Sequence, residues 1–169
     1  MEPVFIEMRP EDIGHNPFKL IGADWMLITA GTREDFNTMT GAWGGLGIMW
    51  EKRVAMCVIR PNRYTYEFME RSKFFSLSFF DEEYRDALTY CGTTSGRDVN
   101  KVAETGLTPV FGEDTIYFAQ ARLVIECSKI YYQDINPANF LIPEIEGFYP
   151  KKDYHRLYLG EIIRCLSRR

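Results

Sequence analysis

Arg53-Val54-Ala55-Met56-Cys57-Val58-Ile59-Arg60, followed by Pro61-Asn62, is the stretch on which the fold turns. Its unbroken β-branched and apolar run, Val54 to Ile59, is what a strand covered on both faces requires, and Pro61 and Asn62 end it. Beyond the break the period changes. Tyr66, Phe68 and Met69 recur at helical spacing between Glu67, Glu70 and Arg71, with Thr65 as the expected N-cap. Phe74–Phe80 (FFSLSFF) returns to strand, with Phe75, Leu77 and Phe79 on one face.

Working outward, Asp24–Gly31 (DWMLITAG) reads as a short strand and Phe36–Met49 as an extended region interrupted by glycines. Glu82–Cys91 reads as a helix ended by a left-handed Gly92. A polar loop, Thr93–Arg97, leads to a short helix, Asp98–Glu104, closed by Gly106. Ile116–Tyr132 contains a long extended segment and Arg156–Leu166 a final strand, with a three-proline loop, Asn136–Lys152, between them. Many strands with a few short helices predict a mainly β (α+β) fold, an antiparallel barrel with helical excursions. No linker or repeat divides residues 1–169, so a single domain is expected.

Composition excludes several classes. With 46% hydrophobic and 15% aromatic residues the chain can build a substantial core, and its net charge of -4 comes without any basic run suited to nucleic acid. No signal peptide is expected, and no apolar run is long enough to cross a membrane. Cys57, Cys91, Cys127 and Cys165 stand far apart, with only 2 histidines in the chain, so no metal site is expected. Four reduced, mostly buried thiols suit a cytoplasmic protein.

Four motifs could carry chemistry. Gly41–Gly47 (GAWGGLG) lacks the spacing of a dinucleotide fingerprint. It reads either as bulges bending a barrel strand or as backbone stripped of side chains for a flat ligand. Before it stands Asn37-Thr38-Met39-Thr40, polar and polarisable groups suited to a ring edge. Arg60-Pro61-Asn62-Arg63-Tyr64-Thr65 combines two guanidinium groups with the start of a helix, an anion site if the arginines are not simply solvated. Ser95-Gly96-Arg97-Asp98, with Lys101 a turn beyond Arg97, repeats the recipe, or is a capped helix with a surface charge cluster. His155 is a lone histidine, with neither a Ser–His–Asp set nor an HExxH motif around it.

These pieces, in this order, resemble the flavin reductase-like family of FMN-binding split barrels, especially its flavoredoxin branch. The matching residues are Asn37-Thr38-Met39-Thr40 with Trp43-Gly44-Gly45, Arg60-Pro61-x-Arg63-Tyr64-Thr65, Ser95-Gly96-Arg97-Asp98 with Lys101, and His155 with Tyr158-Leu159-Gly160-Glu161-Ile162. The resemblance implies a six-stranded Greek-key split β-barrel, dimerised with FMN in a groove between subunits. It implies that Asn37 to Thr40, Ala42 and Trp43 flank the isoalloxazine and ribityl chain. Arg60, Arg63, Tyr64 and Thr65 would serve the phosphate side, with Ser95, Gly96 and Lys101 closing over it, and His155 would lie near the flavin or a nicotinamide. One departure stands out: Thr40-Gly41-Ala42-Trp43 occupies a place where relatives often read T-A-S-W, so a serine hydroxyl is missing at Ala42.

The expected activity is an NAD(P)H-dependent FMN reductase. An electron-transfer flavoprotein reduced by a protein partner, and a non-catalytic flavin-binding dimer, are the alternatives. FAD stays open beside FMN. Flavin chemistry needs few protein acids and bases, because the cofactor carries it.

Overall fold

The computed structural model describes residues 4–169. In chain order the elements are β1 (Phe5–Met8), α1 (Pro17–Gly22), β2 (Met26–Gly31), β3 (Phe36–Gly41), β4 (Gly44–Met49) and β5 (Lys52–Ile59). There follow α2 (Tyr64–Arg71), β6 (Phe74–Phe79), α3 (Arg85–Thr93), α4 (Lys101–Thr105), β7 (Pro109–Phe111), β8 (Ile116–Phe118), β9 (Leu123–Asp134) and β10 (Arg156–Arg168). Short 3-10 turns fill much of the connection from β9 to β10, at Pro137–Asn139 and Pro143–Phe148.

One antiparallel sheet of 8 strands runs β3-β2-β6-β9-β10-β5-β4, with β1 on β10. The expected strand count of six is therefore too low. β10 is long enough to hold two neighbours on one edge: Arg156–Glu161 pair with β5, and Cys165–Arg168 with β1. The two ends of the path, β3 and β4, are consecutive in sequence yet share no ladder among the described residues. Ala42-Trp43 alone links them, and this seam is the split of the barrel.

The sheet curls round an apolar interior because its inward positions are large and its close approaches are bare. Phe75, Leu77 and Phe79 of β6 are buried, as their alternation predicts, together with Ile28, Ala55, Cys57, Ile59 and Tyr158. The buried Tyr158 hydroxyl donates to Glu70 Oε1 at 2.6 Å, which satisfies a polar group water cannot reach. Gly160 permits this packing: a Cβ there would lie 2.5 Å from Cys127 Cβ and 2.6 Å from Phe75 Cζ. At the β4–β5 hairpin, Trp50 and Glu51 both take positive φ, 50° and 59°, the handedness that matches strand twist.

Several sequence-based boundaries need correction. The helix after Pro61 begins at Tyr64, with Arg63 as its N-cap residue, because the Thr65 hydroxyl is inside the fold and bonded to Asn37. Gly92 lies within α3, which runs on to Thr93. Its lack of a side chain serves packing, since a Cβ would come within 3.1 Å of Thr40 Cβ. The next helix starts at Lys101, where the Asn100 side chain accepts from Ala103 N–H; Gly106, at φ 69°, closes it in the left-handed conformation as expected. The long extended segment expected within Ile116–Tyr132 is β9, Leu123–Asp134; the chain turns between Phe118 and Leu123, and β8 before the turn pairs with β7. β1, α1 and β7 were not anticipated.

Candidate functional site

The seam brings most of the singled-out residues to one side of the barrel. Met39, Thr40, Gly41, Ala42 and Trp43 form one wall of a groove of about 220 Å³, and Val58, Arg60, Arg63 and His155 form the other. Glycine makes the corner possible: a Cβ on Gly44 would lie 2.2 Å from Met56 O. The Thr40 hydroxyl donates to Leu88 O of α3, which leaves the backbone of this corner as its polar face.

Adjoining it is a second recess of about 160 Å³ lined by Arg63, Tyr64, Thr65, Thr94, Ser95, Gly96 and Lys101, among others. Arg63 is common to both cavities. Its guanidinium donates to Gly92 O at 2.9 Å and Cys91 O at 3.4 Å. Lys101 is buried, and its Nζ donates to Thr38 O at 2.8 Å and Cys91 O at 2.9 Å. Neither cation has a carboxylate partner among the described residues. Burial pushes the Lys101 amine down to about 8, with Arg63 adding to the effect; burial and then Arg60 lower Arg63. Two positive charges at one recess without an acid call for an anion, and the fixed donors suit a phosphate.

Other expected residues are engaged differently. Asn37 Nδ2 donates to Thr65 Oγ1 at 2.9 Å, and Gly96 is bare because a Cβ would lie 2.1 Å from Asn37 Oδ1. The Thr38 hydroxyl stays inside the sheet, 2.9 Å from Thr29 Oγ1. Asn37 and Thr38 line a separate cavity of about 560 Å³ that also touches Tyr64, Gly96 and Lys101. Glu34, Asp35 and Asp98 border that larger space, which makes it the poorer place for a phosphate. Arg60 is committed to the loop before β10: it donates to Asp153 Oδ1 at 3.0 Å and Phe148 O at 2.8 Å, and lies over the Tyr149 ring. Arg97 is likewise spent, on Glu67 and on the face of Tyr64.

His155 is 8% exposed, and its Nδ1 lies 2.7 Å from the Tyr149 hydroxyl. Trp43 stands 5.1 Å from its ring and meets Phe148 edge-on at 5.4 Å. Phe148 and Tyr149 were missed in the sequence; an aromatic pair closing a proline-rich loop six residues before a histidine was the available signal. Burial, reinforced by Arg60 and opposed by Asp153, depresses the His155 pKa to about 4. The unfolded chain takes up a proton near 6.5 and the folded one does not, so stability falls as pH drops through that interval. Urea unfolding at pH 7 and 5 is expected to differ by about 1–2 kcal/mol more in the native chain than in His155→Gln. An equal difference in both would separate His155 from the effect.

All four cysteines are buried and unpaired, and no group of three or more metal-binding side chains gathers among the described residues. No helix of the described residues is long and apolar enough to cross a membrane.

An antiparallel split barrel with a glycine-lined seam, beside a recess lined by Arg63 and Lys101, defines the class of protein. Residues 19–165 match the family described as "Flavin reductase like domain", and the chain belongs to that family. Its structure is similar to an FMN-binding domain of flavin reductases-like enzyme from Shewanella baltica (TM-score 0.71, 18% identity, 99% of this chain and 78% of that one). It is also similar to flavoredoxin of Desulfovibrio vulgaris (TM-score 0.66, 23% identity, 95% and 76%). A third is an NADH:FAD oxidoreductase of Streptomyces globisporus (TM-score 0.66, 16% identity, 96% and 88%). Comparison with curated proteins gives no match.

Proposed function

We propose that this chain binds FMN and works as an NAD(P)H-dependent flavin reductase. The observation that carries the reading is the pair Arg63 and Lys101, buried or half-buried cations held by carbonyls and facing one recess without a counter-charge. A phosphate there would take donors from both, with the Ser95 hydroxyl and the backbone at Gly96 beside it. The adjoining seam, Met39 to Trp43, offers a flat backbone wall for a ring, and Ala42 leaves its N–H in place of a hydroxyl. Arg60 acts at one remove, by holding the loop that carries Phe148 and Tyr149. Flavin, when bound, supplies the hydride and electron chemistry. The chain's own part is to grip the phosphate, orient the ring and keep one face of it open.

We read the protein as a cytoplasmic homodimer closed over its flavin. Trp50 packs on Tyr131 at 5.7 Å, and Ile48, Met49 and Tyr132 are exposed large apolar side chains, a surface suited to a second copy. Likeness to flavoredoxins favours a second reading, an electron-transfer protein reduced by a protein donor. FAD in place of FMN fits the same phosphate recess. The deciding experiment is an absorbance spectrum of the purified protein, reconstituted with FMN if colourless, followed by anaerobic NADH and then NADPH. Bands that bleach support the reductase; bands that persist until a redox protein is added support the second reading. Failure to take up FMN at micromolar concentration overturns both.

A further inference from the structure

Aromatic rings run in an unbroken file from the seam groove into the loop before β10. Trp43, 46% exposed, lines the groove, and its ring lies 5.1 Å from that of His155. His155 lies 5.5 Å from the buried Tyr149, and Tyr149 lies 4.9 Å from the half-buried Tyr154. Each phenol is bonded to a base. The Tyr149 hydroxyl is 2.7 Å from His155 Nδ1, and Tyr154 donates to the carboxylate of Glu146, an exposed residue. Among the described residues Tyr149 has no other hydroxyl partner, so it donates to Nδ1; the reverse bond would strand its proton. A phenol becomes strongly acidic when it loses an electron, so a tyrosine relays oxidation only where a base can take the proton and return it. Both tyrosines meet that condition. The charges around them slope outward. Arg60 lies over the Tyr149 ring at 4.9 Å, and burial, reinforced by Arg60 and opposed by Asp153, favours the uncharged imidazole. An electron vacancy is therefore held poorly at Tyr149. It is held better at Tyr154, whose proton passes to an anion.

We propose that Trp43, Tyr149 and Tyr154 form a one-electron path that carries oxidising equivalents out of the seam groove to the surface loop. The inference rests on the flavin reading of the groove, because the oxidant it names is light-excited oxidised flavin. Trp43 gives one electron to that oxidant. Tyr149 refills Trp43 and passes its hydroxyl proton to His155 Nδ1. Tyr154 then refills Tyr149, which takes its proton back, while the Tyr154 proton moves to Glu146. A thiol in solution restores Tyr154 with one electron, Glu146 returns the proton, and the thiol's own proton goes to water. The net change is one electron from thiol to oxidant, with every protein group as it began. Damage that would otherwise collect on the groove residues Trp43 and His155 is discharged where soluble reductants can reach it.

The path can be tested without flavin. Azide radicals oxidise tryptophan in preference to tyrosine, and of the 3 tryptophans only Trp43 remains when Trp25→Phe and Trp50→Phe are combined. Pulse radiolysis of that variant is expected to show the indolyl radical band converting to the phenoxyl band at a rate independent of protein concentration. Adding Tyr149→Phe, which keeps the ring and removes only the hydroxyl, is expected to abolish this intramolecular conversion. A conversion unchanged by Tyr149→Phe overturns the proposal, as does an indolyl radical that decays without any phenoxyl. Direction is read on FMN-loaded protein of native sequence, illuminated with light that only the flavin absorbs in the presence of a nitroso spin trap. Peptide mass spectrometry is expected to find the adduct on Tyr154, and on Tyr149 in Tyr154→Phe. An adduct confined to Trp43 in the native protein overturns the proposal. Flavin uptake, read by absorbance, reports separately on the parent reading. Radical conversion without FMN uptake supports the path and overturns the flavin reading, and FMN uptake without conversion does the reverse.

Discussion

Replacing Arg63 with alanine is expected to weaken FMN binding by about 1.5–3 kcal/mol, or roughly 10- to 150-fold, and to leave riboflavin affinity nearly unchanged. The two ligands share the ring and ribityl chain and differ in the phosphate, so their ratio isolates the anion contact. Arg63 suits the test because its other partners are the Gly92 and Cys91 carbonyls at the end of α3. Losing those bonds loosens one loop without leaving a buried carboxylate unpaired. Fluorescence titration with both flavins reads the result. An equal loss for the two would move Arg63 from the phosphate to the ring or to the fold, and with it the main support for the functional proposal.

The second large effect concerns the barrel interior. Phe75→Ala is expected to cost about 3–5 kcal/mol, because Phe75 is 1% exposed and its ring fills the space over a strand that has no side chain at Gly160. Nothing on β10 can grow into the resulting hole. Gly160→Ala attacks the same contact from the other side: its methyl would overlap Phe75 Cζ and Cys127 Cβ, at an expected cost of about 1–3 kcal/mol. In the double variant the two changes should partly compensate, since the new methyl enters the space the ring has left. Strict additivity in urea denaturation would mean that Phe75 and Gly160 are not packed as described.

The parts of this architecture legible in the sequence are those written in local pattern. β5, β6 and β10 are apolar runs between breakers, and each was located to within a few residues. The short elements β1, α1 and β7 lack such a period, and their pairing depends on strands far away in the chain. The same distinction runs through the site. The arginines, the glycine-rich corner and Lys101 were visible as residue types, but their partners were not. Thr65 looked like a cap because a cap is a local feature; its hydroxyl is taken by Asn37, on another strand. Arg60 and Arg63 looked equivalent, and only the returning loop, with Asp153 and Phe148, distinguishes an arginine engaged by a carboxylate from one that is not. Lys101 read either as a cation for an anion or as part of a surface charge cluster, and its burial between α3 and β3 could not be seen in the sequence.

The two strand edges that meet at Ala42-Trp43 are not rungs of a common ladder. No backbone hydrogen bond of a shared ladder would be broken in parting them, so a planar guest, on the proposed reading, would displace side chains and solvent alone. Opening at this seam would leave the ladders of β3 with β2 and of β4 with β5 intact.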